Sequence, residues 1–162
     1  MACYNNGQTY VNTCISAPGA TATDATYVVD LTHYLCGNRK VCANGAFPIA
    51  GDLKYRALGA PQAVGNDAYV VDILITGTVE YMPYRNGQNQ CGCNECACPR
   101  TDNVYATVSV PCGSATAPTI TAGDVIASPT NMRDCCNVTN AVSLVGSFNL
   151  ASTAGAAAGD GD

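Results

Sequence analysis

Between Ala68 and Tyr84 the chain alternates: Tyr69, Val71, Ile73, Ile75, Val79 and Tyr81 take odd positions, with Asp72, Thr76, Thr78 and Glu80 between them. A period of two sends successive side chains to opposite faces, so this stretch predicts a strand with one face on a core and the other turned outward. Gly77 interrupts the pattern and is read as a bulge. Val104, Ala106, Val108 and Val110 alternate against Tyr105, Thr107 and Ser109, which predicts a partner strand and hence a hairpin with a long tip. An earlier strand is expected near Thr26 to Leu35, where Tyr27, Val29, Leu31, His33 and Leu35 share a face, ending in the turn Cys36-Gly37-Asn38. A short strand through Leu53, Tyr55 and Ala57 follows a loop holding Cys42 and Pro48. The last runs from Val138 to Leu150, with Val142, Leu144, Gly146, Phe148 and Leu150 inward.

Gly and Pro loops separate these strands and no amphipathic crossover helix lies between them. The expected fold is therefore all-β, a β-sandwich of jelly-roll-like or Greek-key type. Composition agrees, since two Lys and two Glu occur among 162 residues and Ala, Thr, Gly, Val and Asn dominate. The length suits one domain. Residues 1–22 read as a flexible N-terminal arm, 23–150 as the sandwich with a cysteine-rich hairpin insertion at 85–102, and 151–162 as a small-residue acidic tail. That tail lacks the twelve-position ligand spacing of a calcium loop.

Charged residues make up 12% of the chain, about half the usual share for a globular domain. The net charge of −5 and the scatter of the seven basic residues exclude a nucleic-acid partner, which needs a basic stripe to displace counterions. No apolar run reaches the roughly 20 residues of a membrane span.

The chemistry lies in eleven cysteines: Cys3, Cys14, Cys36, Cys42, Cys91, Cys93, Cys96, Cys98, Cys112, Cys135 and Cys136. Cys91, Cys93, Cys96 and Cys98 crowd into eight residues, where Gly92 and Asn94 permit tight turning. Thiolates so spaced can share one zinc ion, which makes these four a candidate metal site. The competing reading is disulfide cross-linking, within the chain or between subunits, with all eleven as candidates. Neighbours on a hairpin tip pair poorly with each other for geometric reasons, and Cys135-Cys136 on a strand would point to opposite faces and find different partners. An odd total leaves at least one cysteine unpaired or bonded outside its own chain. Cys36, Cys42 and Cys112, beside expected strands, also suit small buried hydrophobes.

Catalysis finds no support. The one histidine, His33, falls on an apolar strand face, and Glu80 and Glu95 sit where solvated roles suffice. No P-loop, G-x-G-x-x-G, H-E-x-x-H or G-x-S-x-G occurs. Asn137-Val138-Thr139 is an incidental sequon match.

Cysteine-dense chains are usually exported, yet Met1 to Ala20 contains no Lys or Arg and no apolar run of the kind a secretion leader carries. Gly77-Thr78-Val79-Glu80-Tyr81, followed by Val104-Tyr105-Ala106-Thr107-Val108-Ser109-Val110-Pro111, resembles the SPOCS domain of clostridial and bacillary spore-coat and envelope proteins. In that domain an aromatic follows the proline; here Cys112 does. More broadly the chain resembles cysteine-rich subunits of spore coats, exosporia and spore appendages, which are made without signal peptides and become disulfide-locked outside. The resemblance implies an extracellular or spore-surface location. It also implies partners that are copies of the chain and other coat or surface proteins, and no catalytic residues. The expectation is a non-enzymatic, self-assembling structural subunit forming a fibre, layer or coat. A zinc-binding module and a viral or phage capsid decoration protein are the alternatives.

Overall fold

A computed structural model describes residues 8–16, 24–43, 48–66, 68–83, 99–130 and 138–151. They form eleven strands in antiparallel sheets and no α-helix: β1 Thr9–Ser16, β2 Asp24–Tyr34, β3 Val41–Cys42, β4 Ala50–Ala57, β5 Gln62–Gly65, β6 Ala68–Tyr81, β7 Arg100–Cys112, β8 Thr119–Ala122, β9 Ile126–Pro129, β10 Val138–Thr139 and β11 Ala141–Ala151. The expected all-β class is what is found.

One sheet runs β1-β2-β11, with β8 and β9 one after the other along the far edge of β11. In the second, β6 pairs with β7 along one edge and with β4 and β5 along the other. The alternation explains both. Along β6 the odd residues Val71, Ile73, Ile75, Val79 and Tyr81 are buried, and along β7 the even residues Val104, Ala106, Val108 and Val110 are. Tyr27, Val29, Leu31 and His33 of β2 and Val142, Leu144, Phe148 and Leu150 of β11 are buried likewise. Burying one such aliphatic or aromatic side chain contributes about 1.5–3 kcal/mol.

The inward faces of the two sheets share one hydrophobic cluster. Phe148 packs against Tyr27 of its own sheet, with ring centres 5.5 Å apart, and against Tyr55 of the other at 4.7 Å. Gly146 lets the sheets meet there, because a Cβ on it would lie 2.6 Å from the Tyr55 hydroxyl and 3.0 Å from Leu53.

Three expectations change in detail. Gly77 is not a bulge: it pairs with Leu53 on one side and Val104 on the other in unbroken register. The last strand is broken at Asn140, where the Ala141 N–H donates to the Thr139 hydroxyl and the Asn140 carbonyl accepts from the Leu35 N–H, so that β10 pairs with β3 instead. Within 1–22, read as an arm, Thr9–Ser16 forms β1 along β2. Its period is blurred by an irregularity between Val11 and Thr13, which hides it from a search for strict alternation.

Candidate functional site

The sequence candidates divide sharply. Cys3, Cys91, Cys93, Cys96, Cys98, Cys135 and Cys136 lie outside the described residues. Tyr81 pairs with Arg100, so the segment carrying the four clustered cysteines joins the ends of the continuous β6–β7 hairpin. Cys36 and Cys42 are both buried, and each separately is held in a disulfide. Cys14 and Cys112 are half-buried thiols packed on the core, and the Cys112 S–H donates to the Ser114 carbonyl at 3.5 Å. Burial pushes the Cys14 pKa up, which lowers its thiolate fraction and slows attack on another disulfide. Among the described residues no three His, Cys, Asp or Glu side chains converge as a metal site.

What the residues do bring together is a buried polar cluster. His33 is fully buried on β2, and its Nε2 lies 2.9 Å from Oδ2 of Asp102 on β7. The same oxygen accepts the Cys36 N–H at 2.8 Å, and Oδ1 accepts the Tyr81 hydroxyl at 3.0 Å. On the other side of the imidazole, Thr9 Oγ1 of β1 lies 2.7 Å from Nδ1. The hydroxyl can donate to or accept from Nδ1, so this contact suits either charge state of the ring. Arg39 lies near enough to Tyr81 for its positive charge to act on the hydroxyl. Four parts of the chain meet at one carboxylate, β2, the turn after it, β6 and β7, and β1 joins them through the imidazole.

Electrostatics follow from this geometry. Burial works to raise the Asp102 pKa, but the hydrogen bonds from His33, the Cys36 N–H and Tyr81 outweigh it and hold the carboxyl below its ordinary value. Burial first, and then the Asp102 charge, push Tyr81 up to about 12, with Arg39 opposing. The hydroxyl therefore stays a donor.

Sequence reading placed His33 in the core and missed its partner. Asp102 fell inside the presumed insertion at 85–102, although the even-numbered apolar face of β7, continued one step beyond Val104, lands on it. A lone acid and a lone imidazole on facing apolar strands are a signal that could have paired them.

Tyr55 shows the opposite condition. Its hydroxyl is buried without a hydrogen-bond partner among the described residues, and burial, then the charges of Cys14 and Asp52, push its pKa up to about 12. Because a buried unsatisfied hydroxyl costs about 1–3 kcal/mol, Tyr55→Phe is expected to leave stability unchanged or raise it by about 1 kcal/mol. A loss above 1 kcal/mol in urea unfolding would show that the hydroxyl is satisfied in solution.

No helix among the described residues is long and apolar enough to cross a membrane. Comparison with protein-family models, curated proteins and solved structures finds no match to this chain.

Proposed function

We propose that the chain is a non-enzymatic structural subunit that assembles with copies of itself into a disulfide-stabilised fibre, layer or coat on a bacterial spore or cell surface. The observation that carries this reading is the cysteine inventory. Eleven is odd, so at least one sulfur is unpaired or bonded outside its own chain, and four of them crowd into the connection of a single hairpin. Low charge supports it, because 12% charged residues leave little repulsion between packed copies.

The buried cluster supports a structural role as well. Thr9, His33 and Asp102 stand in the order of a hydroxyl–imidazole–carboxylate relay, but such a relay needs an imidazole that a substrate can reach. His33 and Asp102 are 0% and 5% exposed and spend their polar atoms on each other, Cys36 and Tyr81. The shallow, mostly apolar cleft lined by Pro48, Ala50, Glu80, Tyr81, Met82 and Pro99 offers one carboxylate, that of Glu80, and no base beside it.

Denaturing electrophoresis of native material is expected to show high-mass species without reductant that collapse to the monomer with it. A monomer under both conditions would remove cross-linking between subunits. The spacing of Cys91, Cys93, Cys96 and Cys98 also fits zinc, and elemental analysis finding one zinc per monomeric chain would favour that second reading.

A further inference from the structure

Of the sheet edges, three carry features that discourage pairing with another chain. β1 has its irregularity between Val11 and Thr13. β8 and β9 are four residues each, and β9 ends in Pro129. β4 carries Asp52, Lys54 and Arg56. Charges, proline, bulges and short length are the usual protections of an edge. β7 lacks them over most of its length: it pairs in unbroken register with β6, has no other strand partner among the described residues, and bears no charge from Asn103 to Cys112.

The Tyr27 hydroxyl donates to the Pro111 carbonyl at 2.9 Å. Tyr27 belongs to the other sheet, so this carbonyl turns away from β6. Antiparallel ladders alternate, and the residues of the same parity, Asn103, Tyr105, Thr107 and Ser109, therefore point their N–H and C=O groups at the open edge. Pro111 and Tyr27 close that row at one end.

We propose that the open edge of β7 pairs antiparallel with β7 of a second copy, about a two-fold axis at Thr107, joining two sheets into one. This rests on the self-assembly reading and names its surface. In that register Tyr105 meets Ser109 of the other copy and Thr107 meets Thr107, each pair exchanging both backbone hydrogen bonds. On the core face Val104 meets Val110 and Ala106 meets Val108. Small and β-branched residues face their like, and Tyr105, 66% exposed in the single chain, gains a neighbour. A copy is favoured over a charged partner because the edge offers no charge to select one. The net charge of −5 repels copies at long range, which salt screens, but sets no like charges against each other along this uncharged line.

The test uses the full chain with its thiols alkylated without reduction, so that existing disulfides stay and new ones cannot form. Analytical ultracentrifugation should show a concentration-dependent dimer or larger species. Thr107→Lys sets two ammonium groups against each other at the axis and should weaken association at least ten-fold, while Thr107→Val should not. If wild type and Thr107→Lys associate equally, the β7 interface is overturned and self-assembly stands. If wild type stays monomeric at every concentration and also when left unalkylated and oxidised, both fail. Hydrogen exchange of the wild type decides independently should the lysine variant not fold. Amides of Asn103, Tyr105, Thr107 and Ser109 must gain protection as concentration rises, and unchanged exchange there in an associated sample rejects the proposal.

Discussion

Asp102→Ala is expected to cost about 3–5 kcal/mol, because each buried polar group left unsatisfied costs about 1–3 kcal/mol. The aspartate accepts three hydrogen bonds, and its removal strands the His33 ring, the Tyr81 hydroxyl and the Cys36 N–H in a core that offers no replacement. For a chain of this length each kcal/mol moves the melting temperature by about 2–4 °C, so a fall of about 6–20 °C should be measured. Thr9→Val removes only the contact at the half-buried rim and should cost about 1 kcal/mol. A melting temperature for Asp102→Ala within 2 °C of wild type would mean that the cluster is not formed in solution. The pH dependence has a definite sign. The folded pKa of Asp102 lies below the unfolded value of about 3.9, so its ionisation stabilises the fold fully above that value. The contribution fades as pH falls through the folded pKa. The stability gap between wild type and Asp102→Asn should therefore narrow below about pH 4, and a gap unchanged to pH 2 contradicts the assignment.

Gly77→Ala is the second large effect. A Cβ on Gly77 would lie 1.8 Å from the Asp52 carbonyl oxygen and 2.9 Å from its carbon. Both are backbone atoms of β4, held in the ladder with β6, and they cannot rotate aside. Separating them means parting the strands, so the expected cost is about 3 kcal/mol or more, at the top of the range for overpacking. Gly123→Ala makes the useful contrast. Its Cβ would lie 2.2 Å from the Ser147 hydroxyl, a side-chain atom that can turn to another rotamer. Its cost should be clearly smaller. Urea unfolding of the two variants checks the order, and equal losses would mean that β4 and β6 adjust freely. Because β6 also pairs with β7, Gly77→Ala should loosen the hairpin whose connection carries the four clustered cysteines.

The sequence was most legible where one face is buried. β2, β6, β7 and β11 were readable because their inward residues are apolar at every second position and their outward ones polar. β5 was not, since all four of its residues are exposed and nothing distinguishes one face from the other. β8 and β9 bury too little to impose a pattern. β10 escaped because the chain turns aside at Asn140 through a local hydrogen bond that a hydrophobic period does not encode.

The buried cluster was half legible. His33 on an apolar face announced a buried imidazole, but its partner stands 69 residues away, and pairing them requires knowing that β2 and β7 face each other across the core. The same holds for Gly77, whose need for a missing Cβ arises from the carbonyl of a strand some 25 positions earlier. By itself, then, the order of residues determined the long strands β2, β6, β7 and β11 and their inward faces, since strand geometry is local and repeats every two residues. It also set the sulfur content and the low charge. Which strands lie side by side and which polar groups meet inside were decided by tertiary packing, because those depend on distances between segments remote along the chain.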